Sequence, residues 1–177
     1  MLYGSLEFAY AEPFANTLES DPEFRTWVLR QTRFLDFAEG ARLLRDEMRA
    51  LRSGASLTWW RSHFTEKCRC KGCSGQETDI LAVFEATGGT RFALHFEVKQ
   101  PSDKFSTKRD QAASYAIRAK CWANVAPKHV VPHAEADTVL LCSVAKLPEY
   151  APHVAKFGSV ITFEGIAALF PHATVVG

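Results

Sequence analysis

The chain has 177 residues and a formal net charge of +1, with 47% hydrophobic and 23% charged residues. This balance is typical of one folded globular domain and excludes a disordered chain, while bulk charge neither favours nor excludes a nucleic-acid partner. No apolar run approaches the ~18 to 20 residues that cross a bilayer, so no membrane partner is expected. We therefore expect a single domain over residues 1–177.

The cysteines indicate a reducing environment. Three of the five cysteines, Cys68, Cys70 and Cys73, lie too close together in the chain for a disulfide framework. The first residues also lack the basic segment followed by an apolar segment that marks a secretory signal. We therefore expect a cytoplasmic protein.

The N-terminal part of the chain is predicted to be helical. Asp21 followed by Pro22 is a typical helix start, because it offers a capping side chain and a proline at the first helical position. Apolar residues then recur at spacings of three and four, at positions 34, 37, 41, 44, 48 and 51. This period predicts an amphipathic helix that runs to about Arg52. The stretch from Glu7 to Ser20 is ambiguous, and Pro13 favours a break within it.

Two β-strands follow in the chain. Asp79–Glu85 is an apolar strand, Gly88-Gly89 is a turn signal, and Arg91–Val98 alternates strictly between two faces. This alternation places Glu97 and Lys99 on the same face. The pattern predicts a β-hairpin.

The remaining elements complete a mixed sheet. We predict a helix from Ser106 or Thr107 to about Trp122, a strand from Thr138 to Val144, a short helix at 148–156, a strand from Gly158 to Phe163 and a helical turn from Glu164 to Leu169. The order predicts an α/β fold with a mixed β-sheet flanked by helices. An N-terminal helical part, about residues 1–54, and a cysteine-containing loop, about residues 55–76, precede the sheet within the single domain.

Asp79, Glu97 and Lys99 are the residues that point most clearly to chemistry. Asp79 begins the first strand of the hairpin and Glu97 lies near the end of the second, so the two carboxylates are expected to meet at one end of the sheet. Two carboxylates beside a lysine suit Mg²⁺, which prefers carboxylate oxygens and keeps several waters. Such a metal polarises a phosphate oxygen and acidifies a bound water. The alternative is a solvated surface strand, since E-x-K is common in proteins.

These motifs resemble those of the PD-(D/E)xK nuclease superfamily, which has a restriction-endonuclease-like fold. Asp79 matches the first acid of that family, and Glu97-Val98-Lys99 matches its (D/E)-x-K, whereas Thr78 stands where many members have proline. The resemblance covers roughly residues 77–122. It implies an αβββαβ core and a Mg²⁺-dependent deoxyribonuclease. The Mg²⁺ or Mn²⁺ would be bound by Asp79, Glu97 and the backbone carbonyl of Val98, with Lys99 as a further catalytic residue.

The helix after the second strand carries a Q-x-x-x-Y motif formed by Gln111 and Tyr115. It resembles the corresponding motif of the RecB-like branch of the superfamily, which implies that both residues lie near DNA. The segment from Lys99 to Val130 also carries seven Lys or Arg residues and only two Asp. We predict that this segment faces phosphates. Its expected DNA contacts are Lys104, Lys108, Arg109, Gln111 and Tyr115.

Many members of the superfamily have another acid from the first helix beside the metal. Glu47 is the candidate here, because it flanks the apolar stripe of the predicted helix, and Glu39 is a weaker choice. Glu77 is a further possibility, two residues before Asp79. The alternative for each is a solvated carboxylate.

The cysteine-containing loop offers a second metal site. His63, Cys68, Cys70 and Cys73 supply the nitrogen and sulfur ligands that structural Zn²⁺ prefers, although the spacing is compressed and no second C-x2-C follows. Free thiols are the main alternative. An iron–sulfur cluster would need Cys121 or Cys142 as a fourth ligand.

The residues leave more than one function open. The first hypothesis is a deoxyribonuclease, acting as an endonuclease or an exonuclease. The second is a non-catalytic DNA- or protein-binding domain that keeps the nuclease fold, and the third is a small zinc-stabilised interaction module. A catalytic core of this size is expected to need a homodimer or a partner protein to cut both strands of DNA.

Overall fold

The computed structural model describes residues 5–52, 58–60, 78–106 and 110–175. The described helices are α1 (Ser5–Ser20), α2 (Pro22–Arg30), α3 (Arg45–Leu51), α4 (Gln111–Asn124), α5 (Leu147–Val154) and α6 (Phe163–Leu169). The described strands are β1 (Arg42–Leu43), β2 (Ile80–Glu85), β3 (Arg91–Val98), β4 (Glu135–Cys142) and β5 (Ser159–Thr162). Short 3₁₀ turns cover Leu35–Phe37, Val144–Lys146 and Pro171–Ala173.

The described strands form one mixed sheet in the order β1-β2-β3-β4-β5. The first two pairings are antiparallel and the last two are parallel. β2 and β3 form the predicted hairpin, in which Ile80 pairs with Phe96 and Glu85 pairs with Arg91. β4 then returns parallel to β3 through the α4 crossover, as parallel pairing requires. The prediction of an α/β protein with a mixed sheet is therefore confirmed.

Helices cover both faces of the sheet. On one face, Phe14 of α1 packs against Phe96 of β3, with ring centroids 5.1 Å apart. On the other face, Tyr115 of α4 is buried in a cluster with Leu140 of β4. β3 is therefore the central strand of the molecule, and the side chains on its α4-facing side lie in an interior layer. Within the described residues, no helix has the length and apolar character needed to span a bilayer.

The long helix predicted from Asp21 to Arg52 is wrong. Asp21 does cap a helix, since its Oδ1 accepts hydrogen bonds from the N–H groups of Glu23 and Phe24. That helix, however, ends at Arg30. Gly40 then adopts a φ of +76°, where a side chain would be strained. The apolar spacing of three and four thus came from residues in and beside separate short elements, namely the 3₁₀ turn, β1 and α3, of which Phe34, Ala41, Leu44 and Met48 are buried.

The break expected near Pro13 is also wrong. α1 continues through Pro13, whose carbonyl accepts a hydrogen bond from the Thr17 hydroxyl (2.8 Å). Burial of Phe14 and Leu18 accounts for the intact helix, because packing of an apolar face outweighs one missing backbone hydrogen bond.

The start of α4 differs from the prediction as well. The helix begins at Gln111, and the cap is Asp110, whose side chain accepts a hydrogen bond from the Ala113 N–H (3.1 Å). Ser106 is not helical, and Thr107 lies outside the described residues. This later start determines which side chains of α4 reach the end of β3.

Candidate active site

The acid–lysine cluster, meaning Asp79, Glu97 and Lys99, lies at one end of the β2–β3 hairpin. Asp79 directly precedes β2, and the hairpin register sets it opposite Glu97 across the two strands. Its carboxylate accepts a hydrogen bond from the Val98 N–H (N···Oδ2, 2.7 Å). The Lys99 ammonium lies 2.6 Å from Glu97 Oε1. The three side chains therefore meet at one edge of the central strand.

The cluster is enclosed. Asp79, Glu97 and Lys99 are 5%, 1% and 6% exposed, and the Lys99 ammonium also lies 5.1 Å from the centre of the Phe105 ring. Burial of ionised groups is costly unless they are paired and hydrogen-bonded. The cluster is thus unlike the solvated E-x-K of a surface strand.

Two residues of helix α4 form hydrogen bonds with the acid–lysine cluster. The Gln111 amide donates a hydrogen bond to Glu97 Oε1 (2.7 Å), which also receives the Lys99 ammonium. One turn further along, the Tyr115 hydroxyl accepts a hydrogen bond from the Asp79 N–H (3.3 Å). Tyr115 is fully buried. The Q-x-x-x-Y motif therefore points inward at the acids, and the expectation that Tyr115 contacts DNA directly needs correction.

The electrostatics of the cluster show an excess of negative charge. Burial raises the pKa of Asp79 well above its ordinary value, and repulsion from Glu97 and Glu7 raises it further. Burial would lower the pKa of Lys99, but attraction to Glu97 and Asp79 outweighs this and raises it above the ordinary value. Lys99 is therefore a permanent cation. Burial also raises the pKa of Tyr115 well above its ordinary value, so its phenol stays neutral.

The acid of the N-terminal helices that acts electrostatically on the cluster is Glu7 rather than Glu47. Glu7, on α1, acts electrostatically on both Asp79 and Lys99. The Glu47 carboxylate instead lies 3.1 Å from the guanidinium of Arg42. Arg42 belongs to β1 and pairs with the far end of the hairpin, so Glu47 is remote from the cluster. The error follows from the wrong long helix, since Glu47 belongs to the separate helix α3.

The donor groups at the candidate metal site are the carboxylates of Asp79 and Glu97. The described residues contain no group of three or more His, Cys, Asp or Glu side chains arranged to hold a metal ion. The pair Asp79 and Glu97 nevertheless fits a hard cation that keeps several waters. Glu97 Oε2 is buried and has no hydrogen-bond partner within the part of the chain that the structure describes. A cation beside it would also offset the charge that raises the pKa of Asp79.

Comparisons with protein-family models, with curated proteins and with solved structures find no match.

The expected DNA contacts fall into three groups. Lys104 is exposed on the segment between β3 and α4. Lys108 and Arg109 lie outside the described residues. Gln111 is half-buried and, like Tyr115, is engaged with the acid–lysine cluster.

The predicted zinc ligands His63, Cys68, Cys70 and Cys73 all lie outside the described residues. The two further cysteines considered for an iron–sulfur cluster are both within regular elements. Cys121 is half-buried in α4, and Cys142 is buried in β4, where burial raises the pKa of its thiol to about 11. A thiol with this pKa stays protonated, which disfavours metal ligation by Cys142.

Sequence reasoning missed Glu7, Thr78 and Arg118 around the site. Glu7 gave no signal, because the helix that carries it was ambiguous. Arg118 could have been found, since it lies seven residues after Gln111 and three after Tyr115 and so shares their helix face. The Arg118 guanidinium donates a hydrogen bond to the Thr78 hydroxyl (2.7 Å).

Proposed function

We propose that this protein is a Mg²⁺- or Mn²⁺-dependent nuclease that hydrolyses DNA phosphodiester bonds. The observation that carries the proposal is the buried acid–lysine cluster, in which Lys99 lies 2.6 Å from Glu97 and Asp79 stands opposite Glu97 at the end of the hairpin. Buried ionisable groups with raised pKa values are concentrated at functional sites. A structural ion pair alone would not need the second carboxylate.

The order of elements supports a restriction-endonuclease-like core. Helix α1 precedes the antiparallel strands β1, β2 and β3, and α4 then leads to the parallel strand β4. This is the αβββαβ order that the resemblance to the PD-(D/E)xK superfamily implies, with α2 and α3 added. The proposed site then lies where the central strand ends.

The proposed metal would be held by Asp79, Glu97 and the backbone carbonyl of Val98. When bound, it would polarise a phosphate oxygen and acidify a water molecule. The protein's own groups have separate tasks. Lys99, as a permanent cation, stabilises negative charge that develops on the phosphate in the transition state. Gln111 fixes the Glu97 carboxylate, so that Lys99 and Glu97 keep one geometry.

The basic residues that follow β3 in the chain support the proposal of a DNA substrate. Lys104 is exposed on the segment that leaves β3, and Lys108 and Arg109 follow in the chain. Basic side chains of this kind contact phosphates and position the nucleic acid without reading its sequence. A homodimer or a partner protein would supply the second site that cleavage of both strands requires.

The test is cleavage of supercoiled plasmid DNA by the wild type and by variants of two lysines, with Mg²⁺ or Mn²⁺ present. Lys99→Ala is expected to reduce the cleavage rate about 10²- to 10³-fold, as removal of one group that stabilises transition-state charge commonly does. Lys120→Ala is the control, since Lys120 is exposed on α4 and lies beside Glu135, which pairs with Phe92 at the other end of β3 from Glu97. It should cleave like the wild type.

Stability must be separated from chemistry, because Lys99 is buried and paired. Breaking a buried pair by removing one partner costs about 3 to 5 kcal/mol, so rates are compared below the melting temperature of each variant. Lys99→Met, which keeps the apolar part of the side chain, serves as a second variant. Equal cleavage by all variants would reject Lys99 as a catalytic residue. Inactive wild type with either metal would favour a non-catalytic DNA- or protein-binding domain.

A further inference from the structure

The inner face of α4 carries a third polar residue beyond Gln111 and Tyr115. Arg118 is only 2% exposed, and its guanidinium donates a hydrogen bond to the Thr78 hydroxyl (Nη1···Oγ1, 2.7 Å). The guanidinium carbon lies 5.4 Å from the centre of the Trp122 ring. Arg118 is thus an interior arginine, and the residue that it holds is the one immediately before Asp79.

The contacts of Arg118 differ from those of a buried ion pair. Across the described ranges, no carboxylate lies within ion-pair distance of its guanidinium. Its Nε is buried and has no hydrogen-bond partner among the described side chains and backbone groups. Burying an arginine in this way is costly. The hydrogen bond to the Thr78 hydroxyl is therefore the polar contact that compensates part of this cost. Thr78 is itself fully buried.

The three α4 residues hold the two strands together at their ends. Gln111 binds the Glu97 carboxylate, Tyr115 accepts the Asp79 N–H, and Arg118 binds the side chain of Thr78. The last two contacts act on consecutive residues, so they fix the backbone from which the Asp79 side chain projects. Groups that orient the ligands of a metal are commonly worth 10- to 100-fold in metal affinity or activity.

We infer that Arg118 is a positioning residue, which acts through Thr78 to fix the Asp79 carboxylate for binding a divalent cation. This inference rests on the proposed function, since it assigns a role within the same site. The side-chain hydroxyl at position 78 and the guanidinium at position 118 act as one unit. Removing either should therefore have the same consequence.

The experiment measures Mn²⁺ binding to the acid–lysine cluster by calorimetry. It uses the full chain, with Mn²⁺ alone as the probe. Thr78→Val removes the hydroxyl at nearly constant volume, and Arg118→Met removes the guanidinium while keeping an apolar side chain. Each is expected to weaken Mn²⁺ binding about 10- to 100-fold. The double variant should bind no more weakly than the weaker single variant, because both changes break the same contact.

Two conservative variants separate positioning from general structural support. Thr78→Ser keeps the hydroxyl and Arg118→Lys keeps a charged donor, so both should recover most of the Mn²⁺ affinity. Lys120→Met is the control for loss of a basic side chain on α4. At saturating Mn²⁺, the cleavage rate of Thr78→Val should return to within a few-fold of the wild type, because the reacting groups are intact.

The outcomes distinguish the two proposals. If the wild type binds Mn²⁺ and cleaves DNA while Thr78→Val and Arg118→Met bind Mn²⁺ like the wild type, the positioning role is wrong and the nuclease proposal stands. If the effects of the two variants simply add, Arg118 does not act through Thr78. If the wild type neither binds Mn²⁺ nor cleaves DNA, both proposals fail. Should Arg118→Met not fold, Thr78→Val and Thr78→Ser decide the question.

Discussion

Replacing Asp79 by Asn is expected to stabilise the metal-free protein while abolishing cleavage. The Asn side chain keeps an oxygen that can accept the Val98 N–H, which Asp79 Oδ2 accepts at 2.7 Å. The substitution removes a buried carboxyl group, whose pKa is raised by burial and by repulsion from Glu97 and Glu7. Asp79 is therefore expected to lower the free energy of unfolding of the metal-free protein, although it is buried and hydrogen-bonded.

The magnitude follows from the geometry of the hairpin. The Cβ atoms of residues directly opposite each other in an antiparallel pair lie about 5 Å apart. At that separation, two unit charges repel by about 3 kcal/mol at an effective dielectric constant of about 20. Attraction between Asp79 and Lys99 offsets part of this repulsion. The expected net gain of Asp79→Asn is about 1 to 2 kcal/mol, which is a rise of about 2 to 8 °C in melting temperature for a chain of this length.

The assay is thermal unfolding of the wild type and the variant at several pH values in the presence of a chelator. Because the folded-state pKa of Asp79 is raised, its contribution to stability is present at low pH and is lost as the pH rises through that pKa. Asn cannot ionise and shows no such loss. The difference between the two proteins should therefore be largest at neutral pH and should shrink on acidification.

Two comparisons make this prediction refutable. Asp36→Asn removes an exposed carboxylate from the 3₁₀ turn at Leu35–Phe37, and it should leave the melting temperature nearly unchanged. Excess Mn²⁺ should stabilise the wild type more than Asp79→Asn, since a ligand stabilises the state that binds it. A fall in the melting temperature of Asp79→Asn at neutral pH would refute the charge repulsion on which this reasoning rests.

Three further predictions concern the surroundings of the cluster. Glu7→Gln should weaken Mn²⁺ binding about tenfold in calorimetry, whereas Glu47→Gln should leave it unchanged because Glu47 is remote from the site. Lys104→Ala should lower the slope of log affinity for DNA against log salt by about one unit, measured by fluorescence anisotropy; an unchanged slope would remove Lys104 from the DNA surface. Gly158→Ala should destabilise the protein by about 1 to 3 kcal/mol in urea unfolding, because an added Cβ would overlap the Asp137 carboxylate.

The hairpin and the order of the later elements were predictable because their signals are local. Alternation along Arg91–Val98 and the Gly88-Gly89 turn specify two antiparallel strands without reference to the rest of the chain. The same locality set Asp79 opposite Glu97, since pairing in a hairpin follows from the length of the turn. The end of the sheet where the two acids and Lys99 meet could thus be deduced from the sequence.

The N-terminal part could not be deduced in this way. An apolar spacing of three and four is also produced when buried residues lie in and beside several short elements, as Phe34, Ala41, Leu44 and Met48 do here. Leu44, for example, donates its N–H to the carbonyl of Val83 on β2, which is a contact between distant parts of the chain. The choice of Glu47 followed directly from this misread segment, and Glu7 was not among the candidates.

The role of α4 could be predicted only in part. The Q-x-x-x-Y spacing correctly put Gln111 and Tyr115 on one face of a helix, but spacing cannot say whether that face points to solvent or to the sheet. Tertiary packing decides this, and it turns Tyr115 toward Asp79. The buried Trp122 on the same helix was the available signal, since a large apolar residue at this spacing favours the inward face.

The hydrogen bond between Val98 and Asp79 gives the site a built-in spectroscopic label. When the Asp79 carboxyl is ionised, the bond that it accepts from the Val98 amide, 2.7 Å long, is stronger than an ordinary amide–carbonyl bond, and this moves the amide proton resonance to low field. Val98 is fully buried in the central strand, so its amide should also exchange slowly with solvent. Its proton signal can therefore follow the ionisation of Asp79 in a single NMR titration, without substrate and without a catalytic assay.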